Sequence, residues 1–539
     1  MLERIVENWL TRAGERGYET PFAQLLSVEG HRVLHGPVHH PFEHGKDIIS
    51  LATDGSLCAF QLKGGDIDLR ELESIQQQLY ALARSAVTYP GVMPPRRPDQ
   101  VTLVSSGVLT PPARDRIASL NIAQVNDGLP PIRLVEREHL VGRFVAANQQ
   151  YLPTEPEDLN SLLQFYLSDG HGPFPTRELA RLLAEIQVPK RANRNNQDFS
   201  RAVASSVLLT SYVCAPWERL DNHLAVAEAW LTLALQVLRV AASHSLPDEV
   251  WKESFALAVA AGRGRLRSLL DECSSLEDLV VPDLVEGVVY PMRAIKVCGW
   301  MAAFYLSERA LDSEQQIEAA VRALLVRELP YVKASGEAET APILMMATAL
   351  PVLDEADHAI RLALTYSIAL ARLNGLGSGG DALPDPYHAP EENLLRGAGL
   401  DEDFAPEQFD GNAYTLHVLI EWFARRGGRP ILEKMWGAIS RVTFCETRVS
   451  SPEQYLAIDD ENADLAIWPP NSPESWTRLN GQAAEMRESA LPGVLWRNLE
   501  YLPYLPLLFP YRLTADVGRA LDYLVLGTVS VTLDAEPDE

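Results

Sequence analysis

The amino-acid sequence predicts an α/β domain with a central mixed sheet flanked by helices, followed by a large, mostly α-helical C-terminal region. Short runs of strand-forming residues alternate with amphipathic segments over the first 150 residues, in the order α-β-β-β-α-β-α-β. From about residue 155 to residue 375, apolar residues recur at helical spacing almost without interruption. Charge follows the same division, because residues 1–150 carry 15 Lys and Arg against 17 Asp and Glu, whereas the remainder carries 32 against 56.

Two stretches rich in Pro or Gly mark the predicted domain boundaries. Pro153–Asp158 precedes the helical region, and Gly375–Gly380, with several prolines soon after it, interrupts that region. We therefore predict an α/β domain at 1–150 and an α-helical bundle or solenoid-like domain at 151–380. Residues 381–539 are predicted to be mainly helical, with long loops and a short terminal strand.

Composition predicts a globular protein of the cytoplasm. Hydrophobic residues make up 47% of the chain, and its five cysteines are scattered without a Cys-x-x-Cys pair, which is typical of a reduced, intracellular protein. The run from Leu224 to Ala242 comes nearest to a membrane span, but Glu228 and Arg239 interrupt it and a span needs about 18 apolar residues. We therefore expect no membrane partner.

The stretch from Asp47 to Lys63 predicts two short strands joined by a tight turn at Thr53-Asp54-Gly55. Side chains alternate along a strand, so Gln61 and Lys63 share one face. A two-residue turn would pair Asp47 with Leu62 and place the carboxylate on the opposite face. A three-residue loop with a left-handed Gly55, or an equivalent bulge, pairs Asp47 with Gln61 and gathers all three polar side chains on one face. We predict the three-residue loop.

These residues resemble a known nuclease motif. Gly45-Lys46-Asp47 ends fourteen residues before Gln61, and Gln61-Leu62-Lys63 closes the next strand. This pattern is similar to the PD-(D/E)XK superfamily in its Q-x-K form, which is typical of restriction-endonuclease-like domains of the Mrr type. Such domains usually begin with a helix that carries a Glu, followed by a Gly that opens the first strand, and Glu19 and Gly30 match that layout. The resemblance covers about the first 145 residues.

The resemblance implies metal-dependent hydrolysis of phosphodiester bonds, with Mg²⁺ or Mn²⁺ as the cofactor. Asp47 would be the main metal ligand and Glu19 the second, with the Gln61 amide oxygen and the Leu62 carbonyl completing the protein ligands. Mg²⁺ prefers such oxygen ligands and keeps several waters. Lys63 would orient the attacking water and stabilise charge developing on the phosphate. Gln61 replaces the commoner acidic residue of the family, which removes one negative charge from the site. Glu19 is therefore more important for binding the metal.

Other metal-binding arrangements are weaker on sequence grounds. Glu7 and Glu43 compete with Glu19 as the second carboxylate. His39, His40 and His44 cluster before the motif, but no Cys or second His pair completes a tetrahedral zinc site.

Four residues are predicted to contact nucleic acid. Lys46 adjoins the main metal ligand, and Gln78 lies on the helix that follows Lys63 in the sequence. Arg96 and Arg97 project from a Pro-rich loop and are candidates for phosphate contacts.

The leading functional hypothesis is a DNA endonuclease of a prokaryotic restriction or anti-phage system. The net charge of −26 lies almost entirely beyond residue 150, and such an acidic surface repels phosphate backbones. The helical region is therefore predicted to regulate the nuclease or to mediate self-assembly or binding of a protein partner, such as a motor ATPase. One alternative is a nuclease-fold scaffold without catalytic activity that binds a protein partner. A further alternative is an RNA nuclease.

Overall fold

The structure is a computed structural model that describes most of the chain in two compact units, Met1–Gly262 and Arg263–Glu539. The described residues are 2–12, 15–35, 47–87, 92, 94–148, 162, 164–165, 167–189, 195–277, 279, 286–332, 336–373, 412–426, 429–439, 442–448, 455–456, 464–468, 491–510 and 513–526. The domain boundaries near 150 and 380 stay predictions, because residues 149–161 and 374–411 lie outside this set.

The first unit begins with the predicted alternation of helices and strands, which is confirmed. Its first elements are α1 (Leu2–Arg12), α2 (Glu15–Val28), β1 (Arg32–His35), β2 (Ile48–Leu51), β3 (Leu57–Lys63), α3 (Leu69–Arg84), β4 (Gln100–Ser105), α4 (Pro111–Asn126), β5 (Ile132–Val135) and α5 (Arg137–Asn148).

The five strands form one mixed sheet, as predicted, and their order in that sheet is β1-β2-β3-β4-β5. The first three strands pair antiparallel, whereas β3, β4 and β5 run parallel. Parallel neighbours need a crossover, which α3 and α4 supply. The carboxyl ends of the three parallel strands therefore meet at one edge, and Lys63 is the last residue of β3, the middle strand of the five.

Hydrophobic clusters cover both faces of this sheet. On one face, helices α1, α2 and α5 contribute to a cluster with Cys58, Phe60 and Leu62 of β3. On the other face, α3 and α4 pack with Ala59 of the same strand and with residues of β4 and β5. Successive residues of β3 thus alternate between the clusters, as the pleat requires.

Four more helices belong wholly or partly to the first unit. They are α6 (Thr176–Gln187), α7 (Asn196–Glu218), α8 (His223–Ser243) and α9 (Asp248–Ser275), of which α9 continues beyond Gly262. Helix α7 packs along α2, and its Tyr212 ring lies 4.8 Å from the ring of Trp9 in α1. Trp9 also meets Phe144 of α5 at 5.2 Å. The core beneath the sheet is therefore completed by residues that lie after position 150.

Helix α8 is the one described helix long and apolar enough to cross a membrane, and 89% of the relevant window is buried inside the protein. Core helices of soluble proteins have the same length and composition. The burial is consistent with the predicted absence of a membrane span.

The second unit is mainly helical, with a small sheet. Its described helices are α10 (Glu286–Ala310), α11 (Glu318–Glu328), α12 (Thr340–Ala349), α13 (Ala356–Leu373), α14 (Leu416–Arg425), α15 (Arg429–Ile439), α16 (Gly493–Trp496), α17 (Leu505–Leu508) and α18 (Ala515–Leu526). Strands β6 (Asn412–Ala413), β7 (Thr443–Arg448) and β8 (Asp464–Trp468) form a three-stranded sheet that the sequence did not predict. The terminal strand predicted near residue 530 lies outside the described residues.

We expect Tyr212→Ala to lower the free energy of unfolding by about 3 kcal/mol or more, because it leaves a cavity beside Trp9 and Phe144. Chemical denaturation of the full chain, followed by tryptophan fluorescence, measures this change. Tyr212→Phe is the matched control, because it keeps the ring in the cluster. A loss below about 1 kcal/mol in Tyr212→Ala would show that residues 1–150 have an independent core.

His31 joins the first two strands and makes their stability depend on pH. Its Nδ1 lies 2.9 Å from the hydroxyl of Ser50, which is fully buried in β2. Burial lowers the pKa of His31 below 6.5, and nearby Arg143 acts in the same direction, whereas Glu29 and Asp54 oppose it. The unfolded chain therefore binds the proton more readily than the folded chain does.

We expect this histidine to destabilise the protein as the pH falls through about 6.5, because protonation then favours the unfolded state. Urea titrations at pH 7.5 and pH 5.5 should show a larger loss of stability in the wild type than in His31→Asn. His139→Asn, at an exposed position on α5, is the control. An equal loss in wild type and His31→Asn would contradict this role.

Candidate active site

The hairpin of β2 and β3 closes at Ala52 and Ser56, which leaves the predicted three-residue turn, Thr53-Asp54-Gly55. Ile48 lies opposite Phe60, and the pairing continues in register to the end of the hairpin. The Ala52 N–H donates to the Ser56 carbonyl at 2.9 Å, and Gly55 adopts a left-handed φ of 82°. The strand pairing ends with Ile48 opposite Phe60, and the Asp47 N–H donates to the same Phe60 carbonyl at 3.0 Å, so the predicted pairing of Asp47 with Gln61 is not part of the ladder.

The Asp47 carboxylate is held by groups of β3. Its Oδ2 accepts hydrogen bonds from Gln61 Nε2 at 2.8 Å and from the Leu62 N–H at 2.6 Å. Paired residues of an antiparallel ladder exchange hydrogen bonds at every second position, so Leu62 would be the next donor toward β2. Because β2 begins at Ile48, the Asp47 side chain accepts this hydrogen bond in place of a main-chain carbonyl. The carboxylate is thereby fixed at the end of the hairpin.

Gln61 carries a buried acceptor without a hydrogen-bond partner. The side chain is 3% exposed, and its Oε1 makes no hydrogen bond. The amide nitrogen must face Asp47, because the reverse orientation would bring an oxygen against the carboxylate. Oε1 consequently points away from that carboxylate. A buried acceptor that lacks a donor is costly, so this atom is a candidate ligand for a cation.

The Leu62 carbonyl has an orientation compatible with the same role. Lys63 bonds toward β4, since its carbonyl accepts from the Ser106 N–H at 3.1 Å. Main-chain groups of consecutive strand residues point to opposite sides, so the N–H and C=O of Leu62 both point toward the β2 side. The N–H on that side reaches Asp47.

Lys63 is half-buried at the end of β3, and its main chain meets a side chain that sequence reasoning missed. The Tyr18 hydroxyl lies 3.0 Å from the Lys63 nitrogen and 2.8 Å from the Lys63 carbonyl oxygen. The one available signal was the helical spacing of Tyr18 with Phe22 and Leu26 on the buried face of α2. That spacing predicts burial of the ring but no partner for the hydroxyl.

Glu19 follows Tyr18 on α2 and is 6% exposed. The helix is held against β3 by the Phe22 ring, which lies 5.4 Å from the Phe60 ring. The competing Glu7 is exposed on α1, and Glu43 lies outside the described residues. Phe60 and Gln61 are successive residues of β3 and point to opposite faces, so the burial of Glu19 on the α2 side does not by itself place it beside the Gln61 side chain.

The donor set fits a hard divalent cation better than it fits zinc. The described residues contain no group of three or more His, Cys, Asp or Glu side chains suited to a metal. The predicted set has only two carboxylates, and it adds an amide oxygen and a main-chain carbonyl, which are ligands that Mg²⁺ accepts. His39, His40 and His44 lie outside the described residues. Gln61 Oε1 shares its lack of a hydrogen-bond partner with buried amide atoms of Gln124, Gln187 and Gln236, so this lack alone does not mark a cation site.

The predicted nucleic-acid contacts do not converge on this site. Gln78 is exposed on α3, nine residues from its start and therefore ~14 Å along the helix axis from the end near Lys63. Arg96 donates to the Gly55 carbonyl at 2.9 Å and pairs with Asp99 at 3.3 Å. Gly55 precedes the opposite end of β3, about 20 Å from Lys63.

Arg97 and Lys46 are the two remaining residues predicted to contact nucleic acid, and neither is placed at the site by the structure. Arg97 is exposed in the same loop as Arg96, and Lys46 lies outside the described residues. Gln76, a neighbour of Gln78 on α3, accepts a hydrogen bond from Arg116 at 2.9 Å.

The chain that leaves β3 is packed tightly against the end of β4. Ser105 Oγ donates to the Gly65 carbonyl at 2.6 Å, and the Gly65 N–H donates to Ser106 Oγ at 2.9 Å. A Cβ at Gly107 would lie 2.1 Å from the Gly65 carbonyl carbon, so only glycine fits there. The residues after Lys63 are therefore held on the β4 side.

Comparison of the chain with family models, with curated proteins and with solved structures gave no match. The resemblance to PD-(D/E)XK nucleases thus rests on the sequence motif.

We expect Gln61→Glu to destabilise the metal-free protein at neutral pH, by on the order of 2 kcal/mol, because it sets a second carboxylate against Asp47. Repulsion raises the pKa of the introduced carboxyl in the folded state, so the penalty grows as the pH rises through about 4.3 and shrinks below it. Thermal unfolding in EDTA at pH 7.5 and pH 4 measures both effects.

Gln78→Glu, at the exposed position on α3, is the control for an added negative charge. Equal stability losses in the two variants at pH 7.5 would show that residue 61 does not face the Asp47 carboxylate in solution.

Proposed function

We propose that this chain is a metal-dependent nuclease that hydrolyses phosphodiester bonds in DNA. The observation that carries the proposal is the arrangement at the end of β3: the Asp47 carboxylate bonded to Gln61, the unpartnered Gln61 oxygen and the adjacent Lys63.

Four groups would hold the cation, Mg²⁺ or Mn²⁺: the carboxylates of Asp47 and Glu19, Gln61 Oε1 and the Leu62 carbonyl. When bound, such a cation polarises the scissile phosphate and lowers the pKa of a coordinated water. Gln61 has a second task, because its amide nitrogen fixes the orientation of the Asp47 carboxylate. The Lys63 ammonium stabilises negative charge that develops on the phosphate.

The second unit is suited to a control or assembly role and not to binding nucleic acid. Many of its arginines are engaged in ion pairs within the unit. Examples are Arg263 with Glu308, Arg327 with Glu328, and Arg425 and Arg426 with Asp522. Phosphate binding requires basic side chains free to meet the backbone. We propose that the acidic surface of the second unit binds a protein partner or a second copy of the chain. A motor ATPase is one candidate partner.

Two further parts of the proposal concern location and biological setting. Cys58, Cys214, Cys273 and Cys298 are buried and form no disulfide with one another, and helix α8 is buried in the first unit, which supports a cytoplasmic protein. A role in prokaryotic restriction or anti-phage defence follows from the resemblance of the motif alone.

A scaffold without catalytic activity is the second candidate, and Gln61 is the observation that favours it. The amide leaves the site with one carboxylate fewer than the commoner form of the motif, which weakens the electrostatic attraction for a divalent cation. RNA cleavage is a third candidate that uses the same residues.

We expect the wild-type chain to cut supercoiled plasmid or single-stranded DNA in Mg²⁺ or Mn²⁺, and Asp47→Ala and Lys63→Ala each to lower the rate at least about 100-fold. Each variant removes a group that binds the cation or the developing charge. Agarose gels over a time course give the rates, and circular dichroism verifies folding. Lys252→Ala, which removes an exposed lysine on α9, is the matched control.

Labelled RNA in the same reactions separates the substrate classes. Faster cleavage of RNA than of DNA would replace the DNA proposal by the RNA one. No cleavage of either, together with the same Mg²⁺-induced shift in melting temperature for wild type and Asp47→Ala, would establish the scaffold.

A further inference from the structure

We propose that Tyr18 is a positioning residue that fixes Lys63 through its hydroxyl group. The inference rests on the proposed function, in which the Lys63 ammonium acts on the phosphate. It adds a residue to the site that the motif does not contain.

The requirement for such a residue comes from the place of Lys63 in the fold. It is the last residue of β3, and the Gly64-Gly65 turn follows it at once. Strand ends followed by glycine open more easily than strand centres do. Any movement of the Lys63 Cα also displaces the ammonium group at the end of the side chain. Catalysis requires that the ammonium group be positioned within about 0.5 Å.

The Tyr18 hydroxyl makes the contacts that oppose this movement. Its oxygen lies 3.0 Å from the Lys63 nitrogen, 2.8 Å from the Lys63 carbonyl oxygen and 3.2 Å from the Val104 carbonyl oxygen. It accepts from the Lys63 N–H and donates its one proton to either carbonyl. The hydroxyl therefore bonds the Lys63 N–H together with one carbonyl at a time, that of Lys63 or that of Val104 on the neighbouring strand.

Tyr18 is rigid enough to serve as this anchor. Its side chain is 0% exposed and belongs to the cluster that contains Phe22 and Leu62. The ring cannot leave without exposing that cluster, so the hydroxyl has a fixed position relative to β3. Glu19 is the next residue of the same helix. A single turn of α2 thus sets both the lysine and the second carboxylate of the proposed site.

The β4 side of the turn is held separately, by Ser105 and Ser106 on Gly65. These bonds do not involve Tyr18. Removing the Tyr18 hydroxyl therefore takes one contact from the Lys63 main chain, which stays paired with Ser105 and bonded to the Ser106 N–H, so the effect is local.

The test uses Tyr18→Phe in the full chain, with Tyr212→Phe as the matched control. Both variants remove one hydroxyl from a buried ring of the same cluster, but only Tyr18 touches Lys63. We expect Tyr18→Phe to lower kcat for plasmid cleavage at least about tenfold, with KM and the half-maximal Mg²⁺ concentration within about twofold of wild type. Tyr212→Phe should leave kcat within about twofold.

A double-mutant cycle separates positioning from general destabilisation. If Tyr18 acts through Lys63, the Tyr18→Phe, Lys63→Ala double variant cuts as slowly as Lys63→Ala alone, with cleavage measured in Mn²⁺ at high enzyme concentration. Losses that multiply in the double variant would overturn the proposal, as would a Tyr18→Phe kcat within twofold of wild type.

Hydrogen exchange of the Lys63 amide tests the contact without any activity. We expect at least about tenfold faster exchange at this amide in Tyr18→Phe than in wild type or Tyr212→Phe. Unchanged exchange would overturn the proposal whether or not the chain cuts DNA. A wild-type chain that cuts nothing but shows this exchange difference would refute the nuclease function and leave the contact between Tyr18 and Lys63 established.

Discussion

The arrangement at the end of β3 depends on one charge-assisted contact, in which the Asp47 carboxylate accepts hydrogen bonds from the Leu62 N–H and the Gln61 amide. Hydrogen bonds to a carboxylate are shorter and stronger than neutral ones. The contact also sets the orientation of the Gln61 amide, because its nitrogen faces Asp47. The amide oxygen therefore points away from Asp47 and has no hydrogen-bond partner. The Asp47 carboxylate is thus fixed in orientation before any ligand arrives.

Much of this arrangement was predictable from sequence because it depends on local rules. The three-residue loop follows from Gly55, which adopts the left-handed conformation that glycine favours, and the loop length then sets the register of the hairpin up to Ile48 and Phe60. The mixed sheet follows from the order of strands and helices, because parallel neighbours need helical crossovers. These features involve residues close in sequence, or patterns with a fixed period.

Other features were not predictable, because they depend on residues far apart in the chain. Tyr18 lies 45 residues before the main-chain groups it binds, and nothing in its local pattern indicates a hydrogen-bonding role. The sequence predicted that Arg96 projects from a loop to contact phosphate. In the structure its guanidinium donates a hydrogen bond to the Gly55 carbonyl in the turn between β2 and β3. Tyr212 completes the core under the sheet from beyond the predicted boundary at 150, since periodicity shows that a helix face is apolar but not which face it meets.

The core shared by Trp9, Phe144 and Tyr212 means that the motif-bearing segment and the helices after it form one folding unit in two consecutive pieces. A break in the chain between positions 150 and 160 would cut the polypeptide without removing any of these rings. The two fragments would then be complementary, each presenting the apolar surface that the other lacks. Their association would obey mass action, so that a property requiring the intact sheet would vary with the concentration of both fragments.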